Sequence, residues 1–170
     1  MAALLFSVAV SAQQRVVINE IHYDVDTYNY TATVVSTGYG EYGGSSYAGD
    51  IVIPNAITFN GQGCRVTGID GSAFYNCTGL KSISLGNNIT NISGSAFSGC
   101  TGLTSITIPN NVQSIGDNAF YNCTRLTSVV IGGNVTNIGN YAFSGCTSLT
   151  SITIPNNVQS IGNYAFDNCI

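Results

Sequence analysis

The chain has 170 residues, of which 44% are hydrophobic and only 7% are charged. Four basic residues against eight acidic ones give a formal net charge of −4, which leaves no cationic patch for phosphates and excludes nucleic acid as a partner. The many Ile, Val, Leu and Phe residues can bury enough apolar surface to offset the entropy of ordering, so the composition also excludes a disordered chain.

The first twelve residues, MAALLFSVAVSA, contain a short apolar run and end in Val10-Ser11-Ala12, a small-residue cleavage pattern. The run is too short to cross a membrane as a helix, and no Lys or Arg precedes it. We therefore predict an export signal at 1–12 whose charged start is truncated, with a buried strand as the alternative. No other run in the chain is long enough for a transmembrane helix.

Two β-rich runs in residues 16–36 flank a polar turn near Asp26 to Asn29, which predicts a β-hairpin. On its first strand His22, Asp24 and Asp26 would share one face, where they could form a metal or acid–base cluster. A solvated face beside a turn is the plainer interpretation, because no fourth ligand lies nearby. His22 is the only histidine, so no Ser-His-Asp or Cys-His set exists elsewhere and we expect no enzyme.

A loop rich in Gly, Ser and Tyr is expected at 37–50. Its residues 38–43, GYGEYG, match the letters of a nucleotide-binding motif, but no helix follows to hold a phosphate, so we expect neither a nucleotide site nor any other cofactor. Short strands with an intervening turn come next, at 51–53, 56–59 and 64–69. We predict that residues 13–65 form a β-rich cap over the open apolar end of the segment that follows.

From residue 66 to residue 170 the sequence repeats every 23 residues. Two rows fix the period, and their members are Cys77, Cys100, Cys123, Cys146 and Cys169, with Phe74, Phe97, Phe120, Phe143 and Phe166. The segment SITIPNNVQSIG occurs at 105–116 and again at 151–162, so a block of two units has been duplicated. The outward differences between alternate units are then a place to look for partner recognition.

Each unit follows the pattern C-T-x-L-x-S-I-x-I-x-N-N-V-x-x-I-G-x-x-A-F-x-x. The L-x-S-I-x-I part predicts a half-buried strand, the V-x-x-I part a second short extended piece, and the A-F part a turn or 3₁₀ segment. No unit can bury its apolar face alone, but stacked units can. We therefore predict a solenoid whose parallel strands lie about 4.8 Å apart.

This pattern, carried by NAFYNCTRLTSVVIGGNVTNIG at 118–139 and its neighbours, resembles the BspA-like, or treponemal-type, leucine-rich repeat family. Residues 45–74 look like the strand-rich segment that precedes such arrays. The resemblance implies a right-handed leucine-rich-repeat solenoid with a parallel sheet on one face and short extended or 3₁₀ segments on the other. It also implies secreted or surface-attached proteins used for adhesion and protein binding.

The array stops at Cys169-Ile170, partway through a unit and without a polar cap. We expect a C-terminally incomplete array whose exposed edge can associate with another chain.

The regular spacing of the cysteines favours a row of buried thiols over disulfides. Equivalent residues of stacked units lie about 4.8 Å apart with parallel side chains, whereas a disulfide needs Cβ atoms about 3.8 Å apart. Cys64 lies off the period, and no C-x-x-C spacing indicates a metal site.

One asparagine per unit is expected to bond the neighbouring coil: Asn88, Asn111, Asn134 and Asn157. Glycosylation triplets, which include Asn29, Asn76, Asn88 and Asn134, matter only in a eukaryotic host.

The outward side chains of the predicted strand face form the candidate ligand-binding face. Its members are Lys81, Ser82, Ser84, Ser105, Thr107, Arg125, Ser128, Val130, Ser151 and Thr153. Tyrosines near the Phe positions are further possible anchors. The alternative is that Ser and Thr simply suit an exposed β surface without any ligand.

The leading hypothesis is an exported, non-enzymatic protein that binds a protein or extracellular-matrix partner through the solenoid surface. A structural spacer for another domain is the alternative, and an ice-binding array of hydroxyls is a third that the break at Val130 argues against.

Overall fold

The computed structural model describes residues 13–38 and 46–169, and within them it contains strands and turns but no helix. The predicted export signal at 1–12 and residues 39–45, which carry most of the GYGEYG motif, lie outside the described residues. No helix in the described ranges is long and apolar enough to cross a membrane. The strands are β1 (Gln13–Ile18), β2 (Ile21–Asp26), β3 (Thr31–Val34), β4 (Gly49–Ile53), β5 (Ala56–Phe59), β6 (Gln62–Ile69), β7 (Leu80–Leu85), β8 (Asn91–Ile92), β9 (Ser105–Thr107), β10 (Ser114–Ile115), β11 (Ser128–Val130), β12 (Asn137–Ile138) and β13 (Ser160–Ile161).

The N-terminal segment is an antiparallel meander of three strands, not the single hairpin predicted. The expected turn is present: the Asp26 carboxylate accepts hydrogen bonds from the backbone N–H groups of Tyr28 at 2.9 Å and Asn29 at 3.1 Å. The prediction was wrong about the first run, which reverses at Asn19 and Glu20, with φ of 49° and 65°. Two-residue hairpin turns need positive φ, and glutamate gives no sequence signal for it.

The strands predicted at 51–53, 56–59 and 64–69 are confirmed as β4, β5 and β6. β5 and β6 form a hairpin around Asn60-Gly61, both in the left-handed region, as an Asn-Gly turn favours. β6 pairs in parallel with β3 on one side and β8 on the other, so the meander is continuous with the ladder of the repeats. The meander therefore lies over the first coil, and the boundary of the cap at residue 65 stays a prediction.

The repeats stack as five coils, which we number 1 to 5 and which comprise residues 49–77, 78–100, 101–123, 124–146 and 147–169. The second extended pieces form the longer ladder, in the order β6-β8-β10-β12-β13, with all four pairs parallel. The L-x-S-I-x-I segments form two separate two-stranded parallel sheets, β4-β7 and β9-β11. The solenoid of parallel strands at 23-residue spacing is confirmed, but the strand face is interrupted between β7 and β9.

Coil 5 also departs from the prediction, because residues 150–154 form no strand. Ser151 and Thr153 are exposed as expected, yet Ile152 and Ile154 are only partly buried. The corresponding Ile106 and Ile108 in coil 3 are 3% and 1% exposed. Within the described residues coil 5 has a neighbouring coil on one side only, so its apolar side chains make fewer contacts than those of coils with two neighbours.

The core is a column of aromatic rings that runs through every coil. Phe74, Phe97, Phe120 and Phe143 are fully buried, and neighbouring rings are stacked with centroids 5.0 to 5.1 Å apart. Tyr47 packs on Phe74 at 4.9 Å and ends the column at the capped side. Its hydroxyl accepts the backbone N–H of His22 at 2.9 Å and donates to the Val35 carbonyl at 3.0 Å, which ties the cap to the array.

The predicted row of thiols is confirmed: all six cysteines are reduced and none forms a disulfide. Each thiol of coils 2 to 5 donates to the phenylalanine carbonyl of the preceding coil, as Cys100 does to Phe74 and Cys123 to Phe97, both at 3.1 Å. The thiols are thus coil-to-coil hydrogen-bond donors as well as core side chains. Cys64, the cysteine off the period, is buried on β6, where it lies opposite Ile57 of β5.

Candidate functional site

The eight Ser, Thr and Val positions predicted to face outward are all exposed. In the paired strands β9 and β11 the register places Ser105 beside Ser128 and Thr107 beside Val130, while the intervening isoleucine and valine are buried. Alternation of side chains along a strand accounts for this separation. The face therefore consists of two adjacent rows, and their members are Ser82, Ser105, Ser128 and Ser151, with Ser84, Thr107, Val130 and Thr153.

Sequence reasoning missed that β4 extends this face by one more strand. Asp50 lies beside Ser82 and Val52 beside Ser84, and the Ser82 hydroxyl donates to Asp50 Oδ1 at 2.6 Å. The separation between Asp50 and Ser82 is 32 residues, because the β5–β6 hairpin is inserted into coil 1. A search at fixed period could not detect it, although the alternating Asp-Ile-Val-Ile of β4 copies the pattern of Ser-Ile-Ser-Leu in β7.

A shallow groove of 340 Å³ lies on the face between β7 and β9. Four of the predicted residues line it: Ser82, Ser84, Ser105 and Thr107. Backbone hydrogen bonds join β4 to β7 and β9 to β11, but among the described residues none joins β7 to β9. The groove is thus the gap between the two short sheets, and its walls combine side-chain hydroxyls with strand edges that no neighbouring strand pairs.

Two exposed valines flank the groove. Val52 on β4 is 69% exposed and Val130 on β11 is 56% exposed, and both belong to the row that contains Ser84 and Thr107. The two basic residues of the array, Lys81 and Arg125, are also exposed, and the described residues include no carboxylate paired with either. The face therefore offers hydroxyl donors and acceptors and two apolar contacts, with Asp50 at its capped end, while the place of Lys81 and Arg125 on this face stays a prediction.

The cluster on β2 is organised by contacts within the cap. His22, Asp24 and Asp26 share one partly exposed face, as predicted. Asp24 pairs with Arg15 at 2.8 Å, and the hydrogen bonds from Asn29 and Tyr28 lower the pKa of Asp26. Residues 13–38 and 46–169 contain no group of three residues arranged to hold a metal ion.

Three of the four asparagines in the row perform the structural role predicted for them, and for Asn134 it stays a prediction. The side-chain amides of Asn88, Asn111 and Asn157 donate to backbone carbonyls of the preceding coil at 3.0, 2.7 and 2.6 Å. Asn76, in another of the glycosylation triplets, projects its side-chain oxygen over Gly99 of the next coil. These amides stabilise the stacking of the coils, and this structural role accounts for them without a ligand.

The pattern of burial and stacking matches that of a known repeat family. The family model of the BspA type leucine rich repeat region matches residues 45–170 in six copies. The chain belongs to the BspA-type leucine-rich repeat family. The match begins shortly before β4, and the parallel pairing of β4 with β7 explains why the BspA-type repeat extends that far toward the N-terminus.

Solved structures of this fold include a leucine-rich repeat protein of T. pallidum, 28% identical, with a TM-score of 0.76 over 92% of this chain and 68% of that one. A leucine rich cell surface protein of Faecalibacterium prausnitzii is 26% identical, with a TM-score of 0.52 over 95% of this chain and 54% of that one. The pneumococcal vaccine antigen PcpA shares the fold at 18% identity, with a TM-score of 0.68 over 94% of this chain and 49% of that one. The chain thus spans about half the length of the last two. No curated protein sequence matches the chain significantly.

Proposed function

We propose that this protein is an exported, non-enzymatic binding protein that engages a protein or extracellular-matrix partner through the strand face. The observation that carries the proposal is the groove between β7 and β9, where four hydroxyl side chains lie between exposed Val52 and Val130. Protein interfaces combine apolar contacts with hydrogen bonds, and this face offers both.

The partner's chemistry follows from the composition of the face. The groove is too shallow to enclose a small molecule, and its hydroxyls carry no charge. The two rows of exposed hydroxyls, together with exposed Val52 and Val130, favour a polypeptide surface, because such a surface offers both hydrogen-bonding groups and apolar contacts. Lys81 and Arg125 add a preference for acidic groups on that surface.

Export and surface location belong to the same proposal. They are supported by the signal pattern at 1–12 and by the likeness to a protein described as a cell surface protein at 26% identity. The only histidine of the sequence, His22, lies on β2 and does not line the groove between β7 and β9, which supports a binding role over catalysis there.

The experiment is a binding screen of the folded chain against immobilised matrix and serum proteins, followed by face variants. Ser84→Arg and Thr107→Arg place long charged side chains in the groove without touching the core, because both positions point outward. Gln113→Arg and Gln159→Arg are the matched controls, since these exposed residues precede strands of the other ladder.

The expected result is a loss of affinity of about tenfold or more for the groove variants alone, since a buried unpaired charge at an interface costs that much. Equal effects of all four variants would place the contact elsewhere. A folded chain that binds no member of the panel would count against the proposal and favour the spacer.

A further inference from the structure

The five coils are of two kinds, and the difference governs how they stack. Coils 1, 3 and 5 have Pro-Asn at the turn after the first extended segment and Asn two places after the core phenylalanine. Coils 2 and 4 have glycine in place of that proline, and they again have glycine two places after the core phenylalanine. We call them proline coils and glycine coils. Their defining residues are Pro54, Asn55 and Asn76; Pro109, Asn110 and Asn122; Pro155, Asn156 and Asn168; and, in the glycine coils, Gly86, Gly99, Gly132 and Gly145.

The face of a proline coil that points toward the C-terminus fits a glycine coil at the turn. A Cβ on Gly86 would lie 2.7 Å from the Pro54 carbonyl oxygen, and a Cβ on Gly132 would lie 2.4 Å from that of Pro109. Non-bonded carbon and oxygen atoms do not approach so closely, so only glycine fits opposite that carbonyl.

The asparagine after each proline adds a second contact. The side chain of Asn55 accepts the backbone N–H of Asn87 at 2.6 Å, and that of Asn110 accepts the N–H of Gly133 at 2.9 Å. The third contact lies near the core phenylalanine, where Asn76 Oδ1 occupies the space a Cβ on Gly99 would need. Asn122 does the same over Gly145.

The other interfaces use a different match. Ser114 of coil 3 and Ser160 of coil 5 donate to the side-chain oxygens of Asn91 and Asn137 in the glycine coils before them. A proline coil therefore contacts glycine coils through both of its faces, but the two faces use different residues; the same holds for a glycine coil between two proline coils. Several of the differences between alternate units therefore serve contacts between coils, and their part in partner recognition stays a prediction.

Coil 5 is a proline coil whose second face is covered by no described residue. Pro155, Asn156 and Asn168 repeat the set that coils 1 and 3 use to hold a glycine coil, and Asn156 and Asn168 are exposed. On the same face Tyr164 is 62% exposed and Ile161 is 49% exposed. Coils 1 and 3 bury this face in the same manner, so the interface at coil 5 would continue one already present twice in the molecule.

We propose that the open face of coil 5 is a docking surface for one kind of partner, a leucine-rich coil of the glycine kind. The partner coil supplies glycine opposite the Pro155 carbonyl, a backbone N–H for Asn156, glycine opposite Asn168 and a phenylalanine ring over Phe166. A second proline coil fits poorly, because its proline ring would occupy the position opposite the Pro155 carbonyl, where the equivalent Cβ atoms on Gly86 and Gly132 would clash with backbone, and its asparagine would have to displace the Asn168 side chain. This surface is separate from the strand face, so the present proposal does not depend on the function proposed for the strand face.

The test appends one coil after Cys169, in place of Ile170, in the full chain. One protein receives a copy of residues 124–146, a glycine coil, and the other a copy of residues 101–123, a proline coil; both copies have 23 residues and begin with the same residue type after cysteine. The readouts are thermal melting and amide hydrogen exchange of coil 5. We expect the glycine coil to raise protection of coil 5 by about tenfold or more relative to the proline coil, since overpacking of this kind costs at least that factor.

A third protein guards against an appended coil that fails to fold. It carries the glycine coil with Gly132→Pro and Gly145→Asn in the copy alone, and we expect it to lose the added protection. Equal protection by the two kinds of coil would overturn the proposal. The proposal would also be overturned if the unextended chain dimerised through coil 5 and the dimer persisted after the glycine coil was attached. The face would then prefer a second copy of the chain to a glycine coil.

Discussion

Gly132→Ala tests whether the stacking of coils depends on the close approach at the turn. The new Cβ would lie 2.4 Å from the carbonyl oxygen of Pro109, 2.6 Å from its carbonyl carbon and 2.8 Å from the Cα of Asn110. All three are backbone atoms, so coil 3 as a whole must shift to make room. Overpacking of this kind lowers the free energy of unfolding by about 1–3 kcal/mol. The reduced flexibility of alanine in the unfolded chain raises it by about 0.4–1 kcal/mol. The net expectation is a loss of about 0.5–2 kcal/mol.

Gly133→Ala is the control, because the adjacent position is open. The nearest heavy atom to its Cβ would be Asn110 Oδ1 at 3.9 Å, an ordinary contact, and neither glycine has positive φ. This variant should be neutral or more stable by up to about 1 kcal/mol. Urea unfolding followed by circular dichroism and tyrosine fluorescence measures both. If Gly132→Ala proves as stable as Gly133→Ala, the close approach does not constrain the stacking and the argument for two kinds of coil fails.

Three further predictions concern the core, the cap and the thiols. Phe120→Ala should cost about 3–5 kcal/mol in urea unfolding, and Phe166→Ala clearly less, because only the first ring is stacked on both sides. Tyr47→Phe should loosen the cap by about 1–3 kcal/mol, seen as faster amide exchange in β2, because two buried backbone groups lose their partner; unchanged exchange would contradict this. Hydrogen bonds to neighbouring thiols and burial raise the pKa of Cys100 and Cys123 in the folded state. The free energy that these protonated thiols contribute to folding is therefore fully present below the unfolded-state pKa of about 8.5. It falls as the pH rises above that value, by up to about 1.4 kcal/mol per pH unit for each thiol. Urea midpoints between pH 7 and pH 10 measure this loss, and the decline should be smaller in Cys123→Ala.

The repeat itself was predictable because stacking makes every buried position recur. The 23-residue rows of Phe74 and Cys77 identify the core side chains, and the alternation in the L-x-S-I-x-I segment separates Ser105 and Thr107 from the buried Ile106. The absence of disulfides among these cysteines also followed from spacing alone.

Contacts that break the period were not predictable. Asp50 joins the strand face after an inserted hairpin, and the turn at Asn19 and Glu20 carries no clear composition signal. The gap between β7 and β9 depends on small displacements of backbone that residue types do not record. The alternation of Pro109 with Gly132 was visible in the sequence, but its steric cause required the distance between two backbones.

The column of stacked coils has a mechanical consequence. Each coil is held only by its neighbours, so a pulling force applied to the ends of the chain would release the array one coil at a time. A released coil of 23 residues extends to roughly 80 Å, whereas it occupied about 4.8 Å of the stack. Since the interfaces alternate between the proline–glycine and the asparagine–serine match, the rupture forces along such an extension should alternate as well, and the array would lengthen in steps while its remaining coils stayed folded.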